Sequence, residues 1–103
     1  MNNKEKRIAI QKLIDHPGKN EKIYYDLLSQ IEGIKRDYGD YMTTSPINCD
    51  KELETLNESS FDRCLALLTM ILREDHFCCG SLVKRIENGQ VNAILERLNE
   101  YLK

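Results

Sequence analysis

The chain has 103 residues and a formal net charge of -2, from 15 Lys and Arg set against 17 Asp and Glu. A chain of this length supports one hydrophobic core and buries about 65% of its unfolded surface on folding, so it needs neither disulfides nor a metal to stay folded. Charged residues make up 31% of the chain with both signs interspersed. This reads as solvated helical surface and leaves out a global basic field for nucleic acid or anionic membrane, though a local basic patch is compatible with it.

The first expected helix runs from about Asn3 to Asp15, with Ile10, Leu13 and Ile14 at helical spacing and Ile8 and Ala9 widening the apolar face. His16-Pro17-Gly18 ends it, because proline restrains its predecessor and lacks an amide hydrogen. The stretch ahead of it, with Gln11 and Lys12 inside its apolar run, does not have the form of a signal peptide. Asn20 is placed to cap a second helix whose apolar positions Ile23, Tyr24, Leu27, Leu28, Ile31, Ile34 and Tyr38 keep the period, with Gly39 as its C-terminal cap. Residues 40–48 have no period and hold turn formers, so they are expected to form the one substantial loop, followed by a short helix from Asp50 to Leu56.

Ser59, ahead of Asp62, is a weak capping box for a helix over about 61–73. Phe61, Cys64, Leu65, Ala66, Leu67, Leu68, Met70, Ile71 and Leu72 make that helix apolar almost all round, which places it at the centre. Gly80-Ser81 starts a short helix carrying Leu82, Val83 and Ile86, which Asn88-Gly89 ends. A last helix from near Gln90 carries Val91, Ile94, Leu95, Leu98 and Leu102 on one stripe. No β alternation, internal repeat or membrane-spanning segment is found. The expected architecture is all-α: one domain over residues 1–103, a compact bundle of five or six short helices around the apolar helix at about 61–73.

Arg73-Glu74-Asp75-His76-Phe77-Cys78-Cys79-Gly80, followed by Glu87-Asn88-Gly89 and Ile94-Leu95-Glu96-Arg97-Leu98, resembles the C-terminal signature of a family of small microbial proteins, domain-of-unknown-function family 6508. The resemblance covers the last third of the chain. It implies no activity and supplies no catalytic residues.

The same segment holds the densest chemistry. Arg73, Glu74, Asp75, His76 and Cys78 form a candidate polar cluster at the end of the central helix. The acids do not suit a helix C-terminus, so they are expected either to pair with Arg73, His76, Lys84 or Arg85, or to cap the next turn, or to line a polar cleft. His76, Cys78 and Cys79, with Asp75 or Cys49, have the donors for zinc but not the usual spacing, so no metal is assigned and no cofactor is expected. A nucleophilic Cys78 or Cys79 with His76 as base has no fixed geometry and no nameable oxyanion donor. Free cysteine behaves as a small hydrophobe, and one of the pair is expected in the core with Phe77. All four cysteines fit a reducing compartment, with cytoplasm the expected location.

Residues 62–89 also read as helix, turn, helix, with Ser81, Lys84, Arg85 and Gln90 as DNA-contact candidates, but the turn from Glu74 to Gly80 is long for that motif and basic residues are few. Tyr24 and Tyr38 are expected in the core. Tyr25, Tyr41 and Met42 are the interface candidates, because tyrosines bury a ring while keeping a hydroxyl satisfied. The reading favours a protein-interaction or structural module, with a protein partner or a second copy of itself, over a nucleic-acid binder, a membrane protein or a small thiol- or metal-dependent enzyme.

Overall fold

The computed structural model describes residues 2–18, 20–77 and 80–103, with the side chains of His76 and Phe77 outside that description. Among the described residues six α-helices follow one another: α1 (Asn3–Asp15), α2 (Glu21–Gln30), α3 (Cys49–Glu54), α4 (Phe61–Phe77), α5 (Ser81–Glu87) and α6 (Gln90–Leu102). Two short 3-10 turns, Tyr38–Tyr41 and Leu56–Glu58, lie between them, and no strand occurs among the described residues. The all-α bundle expected from the period of the apolar residues is the observed fold.

The centre of the bundle is α4. Cys64, Leu65, Ala66, Leu67, Leu68, Thr69, Met70, Ile71 and Leu72 are buried in unbroken succession, which only a helix surrounded by neighbours achieves. It packs against α2, α3, α5, α6 and the Tyr38–Tyr41 turn, while α1 lies chiefly on α6. The α6 stripe of Val91, Ile94, Leu95, Leu98 and Leu102 is buried as its spacing requires.

Local chemistry sets most of the boundaries. The Oδ1 atoms of Asn2, Asn20 and Asn48 accept from the amides of Glu5, Ile23 and Lys51, satisfying donors at the starts of α1, α2 and α3. Gly80 and Gly89 adopt φ of 91° and 83° just ahead of α5 and α6, a region glycine enters without steric penalty.

Three boundaries depart from the sequence reading. The second helix stops at Gln30 rather than running to Tyr38, so Gly39 is not its cap. Glu32 takes the left-handed conformation instead (φ 57°), and the amides of Glu32 and Gly33 bond back to the carbonyls of Ser29 and Leu28, the paired bonds of a Schellman ending. The turn brings the Gly33 backbone so close to α4 that a Cβ there would stand 2.7 Å from Leu65 Cδ2, and the Lys35 amide then donates to the buried Thr69 hydroxyl. The segment is thus drawn across α4, which leaves Ile34 exposed and Tyr38 half-buried.

The cap of α4 is Ser60, whose Oγ accepts from the Arg63 amide, while Ser59 is buried and serves side chains from elsewhere. The same helix continues past Arg73 to Phe77, which shortens the connection to α5. Arg73, Glu74 and Asp75 therefore sit inside the last turns of α4, with Phe77 rather than Arg73 as its last residue.

Candidate binding cleft

Two hollows of about 280 and about 760 Å³ adjoin on one side of the C-terminal half of α4 and share Tyr38, Ile47 and Arg73. The smaller is completed by Cys49, Met70 and Glu74, the larger chiefly by Tyr25, Ile34, Arg36 and Thr69. Their size is that of sites that take small molecules or short peptide segments. The floor comes from α4, one wall from Tyr25 of α2, and the rim from the segment drawn across α4 together with the loop before α3. Ile34 and Ile47, 42% and 48% exposed, present apolar surface at the mouth.

The polar groups divide into bound and free. Arg85 of α5 grips Glu74 with two nearly parallel bonds, Nε to Oε1 at 2.9 Å and Nη2 to Oε2 at 3.1 Å. Its Nη1 also donates to Asp50 Oδ1 at 2.9 Å and to Gln90 Oε1 at 2.8 Å, and Ser81 donates to Glu74. Such a fork is the strong form of a carboxylate–guanidinium contact. The Arg85 hydrogen bonds hold both the Glu74 and Asp50 carboxyls below the usual carboxylate range. By contrast, Arg36 and Arg73 are exposed and form no ion pair among the described residues.

Tyr25 is half-buried at this cleft; burial foremost, and then the Glu21 charge, push its hydroxyl pKa up, with Arg73 partly offsetting them. The Cys49 thiol is pushed up to about 11 by burial, with Arg85 opposing. It is therefore protonated at neutral pH and is no nucleophile in this state.

A second polar centre fixes the rim. Glu52 of α3 is fully buried and accepts from the Thr43 and Thr44 amides at 2.7–3.0 Å, from both threonine hydroxyls, and from Arg63 Nη2 at 2.7 Å. Burial alone would raise its pKa, but the bonds from the Thr44 hydroxyl, the Thr43 amide, Arg63 and the Thr44 amide outweigh it and hold the carboxyl at about 2. Arg63 goes on to donate to the Tyr41 carbonyl, to Ser59 and to the Glu52 carbonyl, joining α3, α4 and the 3-10 turn that leads into the loop. The sequence reading did not single out Glu52 or Arg63. In sequence Glu52 is one charge among Asp50, Lys51 and Glu54, and only the Thr43-Thr44 pair hints at an acceptor nearby.

The sequence-selected residues divide among these places. Arg73 and Glu74 line the cleft, with Glu74 also anchored by Arg85. Asp75 Oδ1 accepts from the Leu82 amide at 3.0 Å, in the first turn of α5. Cys78 and the His76 side chain lie outside the described residues. Among the described residues no three His, Cys, Asp or Glu side chains gather as a metal ion would need. Tyr25 lines the cleft, Tyr41 lies beneath the Lys35 ammonium at 5.8 Å from its ring centre, and Met42 packs against the core. Ser81, Arg85 and Gln90, three of the four DNA-contact candidates, are engaged in the Glu74–Asp50 network.

Fold and cleft together define an all-α bundle with an open, partly apolar hollow on its central helix. The chain belongs to a family of unknown function, DUF6508, whose model matches residues 10–103. The family likeness read from the last third of the sequence thus extends over nearly the whole chain. No curated protein and no solved structure matches it. No helix of the described residues is long and apolar enough to cross a membrane.

Proposed function

We propose that the protein is a non-enzymatic protein-interaction module that seats a partner's acidic, apolar peptide segment in the cleft over α4. The observation that carries this reading is the pairing of exposed Ile34 and Ile47 with two arginines, Arg36 and Arg73, that have no internal counter-ion among the described residues. Glu74, the other charge among the described lining residues, is matched by Arg85, so among them Arg36 and Arg73 are left to meet a carboxylate from outside. Tyr25 and Tyr38 offer rigid rings beside them, of the kind enriched at protein interfaces. The free thiols of Cys49 and Cys64 are compatible with a reducing, cytoplasmic setting.

The test is selection of random displayed peptides on the folded protein, then fluorescence anisotropy with the synthetic sequences recovered. Enrichment of Asp or Glu next to Leu, Ile or aromatic residues is expected. Arg73→Ala is expected to weaken binding by about tenfold or more, as loss of a charge-assisted hydrogen bond should. Recovered peptides that carry no acid, or that bind the Arg36→Ala and Arg73→Ala variants as tightly as the parent, would sink the reading.

A further inference from the structure

From Glu32 to Arg63 no apolar side chain is buried among the described residues, whereas Ile31 and Cys64, which bracket the stretch, both are. The stretch is pinned near both ends. The Lys35 amide donates to the buried Thr69 hydroxyl of α4 and its ammonium meets Asp62 at 3.3 Å, while the Ser59 carbonyl accepts from Tyr101 and Arg97 of α6. Between these points residues 36–58 hold the bundle in two ways. Tyr38, Met42, Cys49, Leu53 and Leu56 are half-buried against the core. Two guanidinium clasps do the rest: Arg63 of α4 on Glu52 and the Tyr41 carbonyl, and Arg85 of α5 on Asp50.

Such an attachment yields more readily than a core. A buried ion pair has a small net worth because both ions have lost hydration, so releasing Glu52 and Arg63 together returns each to water. Releasing only part of the segment is costlier, because its own bonds close a ring. The Thr44 hydroxyl donates to Glu52 and accepts from the Asn48 amide at 2.8 Å, Asn48 Oδ1 accepts from the Lys51 amide at the start of α3, and α3 carries Glu52. A loop that left without α3 would strand the buried Glu52 carboxylate without its threonine donors.

This segment brings Arg36, Tyr38, Ile47 and Cys49 to the cleft, whereas Met70 and Arg73 belong to α4. Arg36 and Arg73 thus stand on opposite sides of the joint. We infer that residues 36–58 are a strap that opens and closes as one unit while the rest of the bundle stays folded, so that the cleft is assembled only when the strap is shut. Its bearing on peptide binding rests on the function proposed above; the opening itself does not.

Native-state amide hydrogen exchange of the full chain, followed by NMR without peptide, reads the opening. The Thr43, Thr44, Asn48 and Glu52 amides are expected to share one opening equilibrium, at least about tenfold more open than that of the α4 and α6 core amides. Ile10→Val thins a core that outlasts the opening, because α1 lies chiefly on α6. It is expected to speed the core amides by about threefold and to leave the strap amides unchanged. Thr43→Val removes one hydroxyl bond to Glu52. It is expected to speed the Thr44, Asn48 and Glu52 amides by one common factor of about tenfold. Strap amides that speed up with the core in Ile10→Val open only by global unfolding, and unequal factors in Thr43→Val mean separate local motions; either result overturns the strap. A peptide selection that recovers no binder counts against the peptide reading alone.

Discussion

Arg63 of α4 reaches Glu52 of α3 at 2.7 Å, and the carboxylate it meets has no exposed surface. A buried pair of this kind is not by itself a large source of stability, because both ions lose their hydration. Removing one partner is a different matter, since the other charge stays behind in a place shaped for an ion pair. Glu52→Gln is expected to lower unfolding free energy by about 3 kcal/mol. Urea denaturation checks this, and a loss below about 1 kcal/mol would mean that the Glu52 hub does not hold the loop.

The same carboxylate gives the fold an acid limit. Glu52 titrates at about 2 in the folded chain against an ordinary value of 4.5, so its folded pKa is depressed. Its stabilising share is fully present above about pH 4.5 and is lost as pH falls through that value toward 2, where both states bind the proton. The share is on the order of 3 kcal/mol. Glu74 and Asp50, lowered by Arg85, act in the same direction. Urea midpoints between pH 7 and pH 2 are expected to fall with a slope that Glu52→Gln reduces. An unchanged slope in that variant would assign the acid limit to other groups.

How legible these features are in the sequence depends on the range of the interactions that make them. The central helix, the α6 stripe and the starts of α1 and α2 rest on period and capping chemistry within a few residues, and the sequence displays both. The end of α2 does not, because Ile34 and Tyr38 continue the helical period by position while the chain is turned away by Gly33 approaching Leu65 and by Lys35 bonding Thr69. Those contacts join parts of the chain some thirty residues apart. The cleft is legible in part: Arg73, Glu74 and Tyr25 stand out as residue types. Arg36 joins them through the segment that Gly33 and Lys35 draw across α4, and Ile47 through the loop whose Thr43 and Thr44 Glu52 holds, while that carboxylate looks like any surface acid of a short charged helix.

Cys49 bears on whether thiol chemistry occurs in the cleft. Burial pushes its pKa up to about 11, so at pH 7.5 well under 1% of it is thiolate. Iodoacetamide labelling followed by peptide mass spectrometry is expected to leave Cys49 unmodified in the folded chain and to label it fully in urea. Cys64, also pushed to about 11 by burial, is expected to behave alike and serves as the internal control. Rapid native labelling of Cys49 but not Cys64 would show an activated thiol and reopen the enzymatic reading.

Glu32 offers a gain rather than a loss. It holds φ at 57° at the end of α2, where its Cβ crowds the neighbouring backbone and where glycine is the usual occupant. Its side chain is exposed and makes no hydrogen bond or ion pair among the described residues, so little is lost with it. Glu32→Gly relieves the left-handed strain but enlarges the freedom of the unfolded chain, and these terms oppose each other. Because the strain of a non-glycine residue there is about 1 to 2 kcal/mol and glycine's entropic penalty is about 0.5 to 1, a net stabilisation of about 0.5 to 1 kcal/mol is expected. Thermal melting of the variant beside the parent decides it. A lowered midpoint would mean that the turn is held in place by Gly33 and Thr69 on α4 with little strain at Glu32 itself.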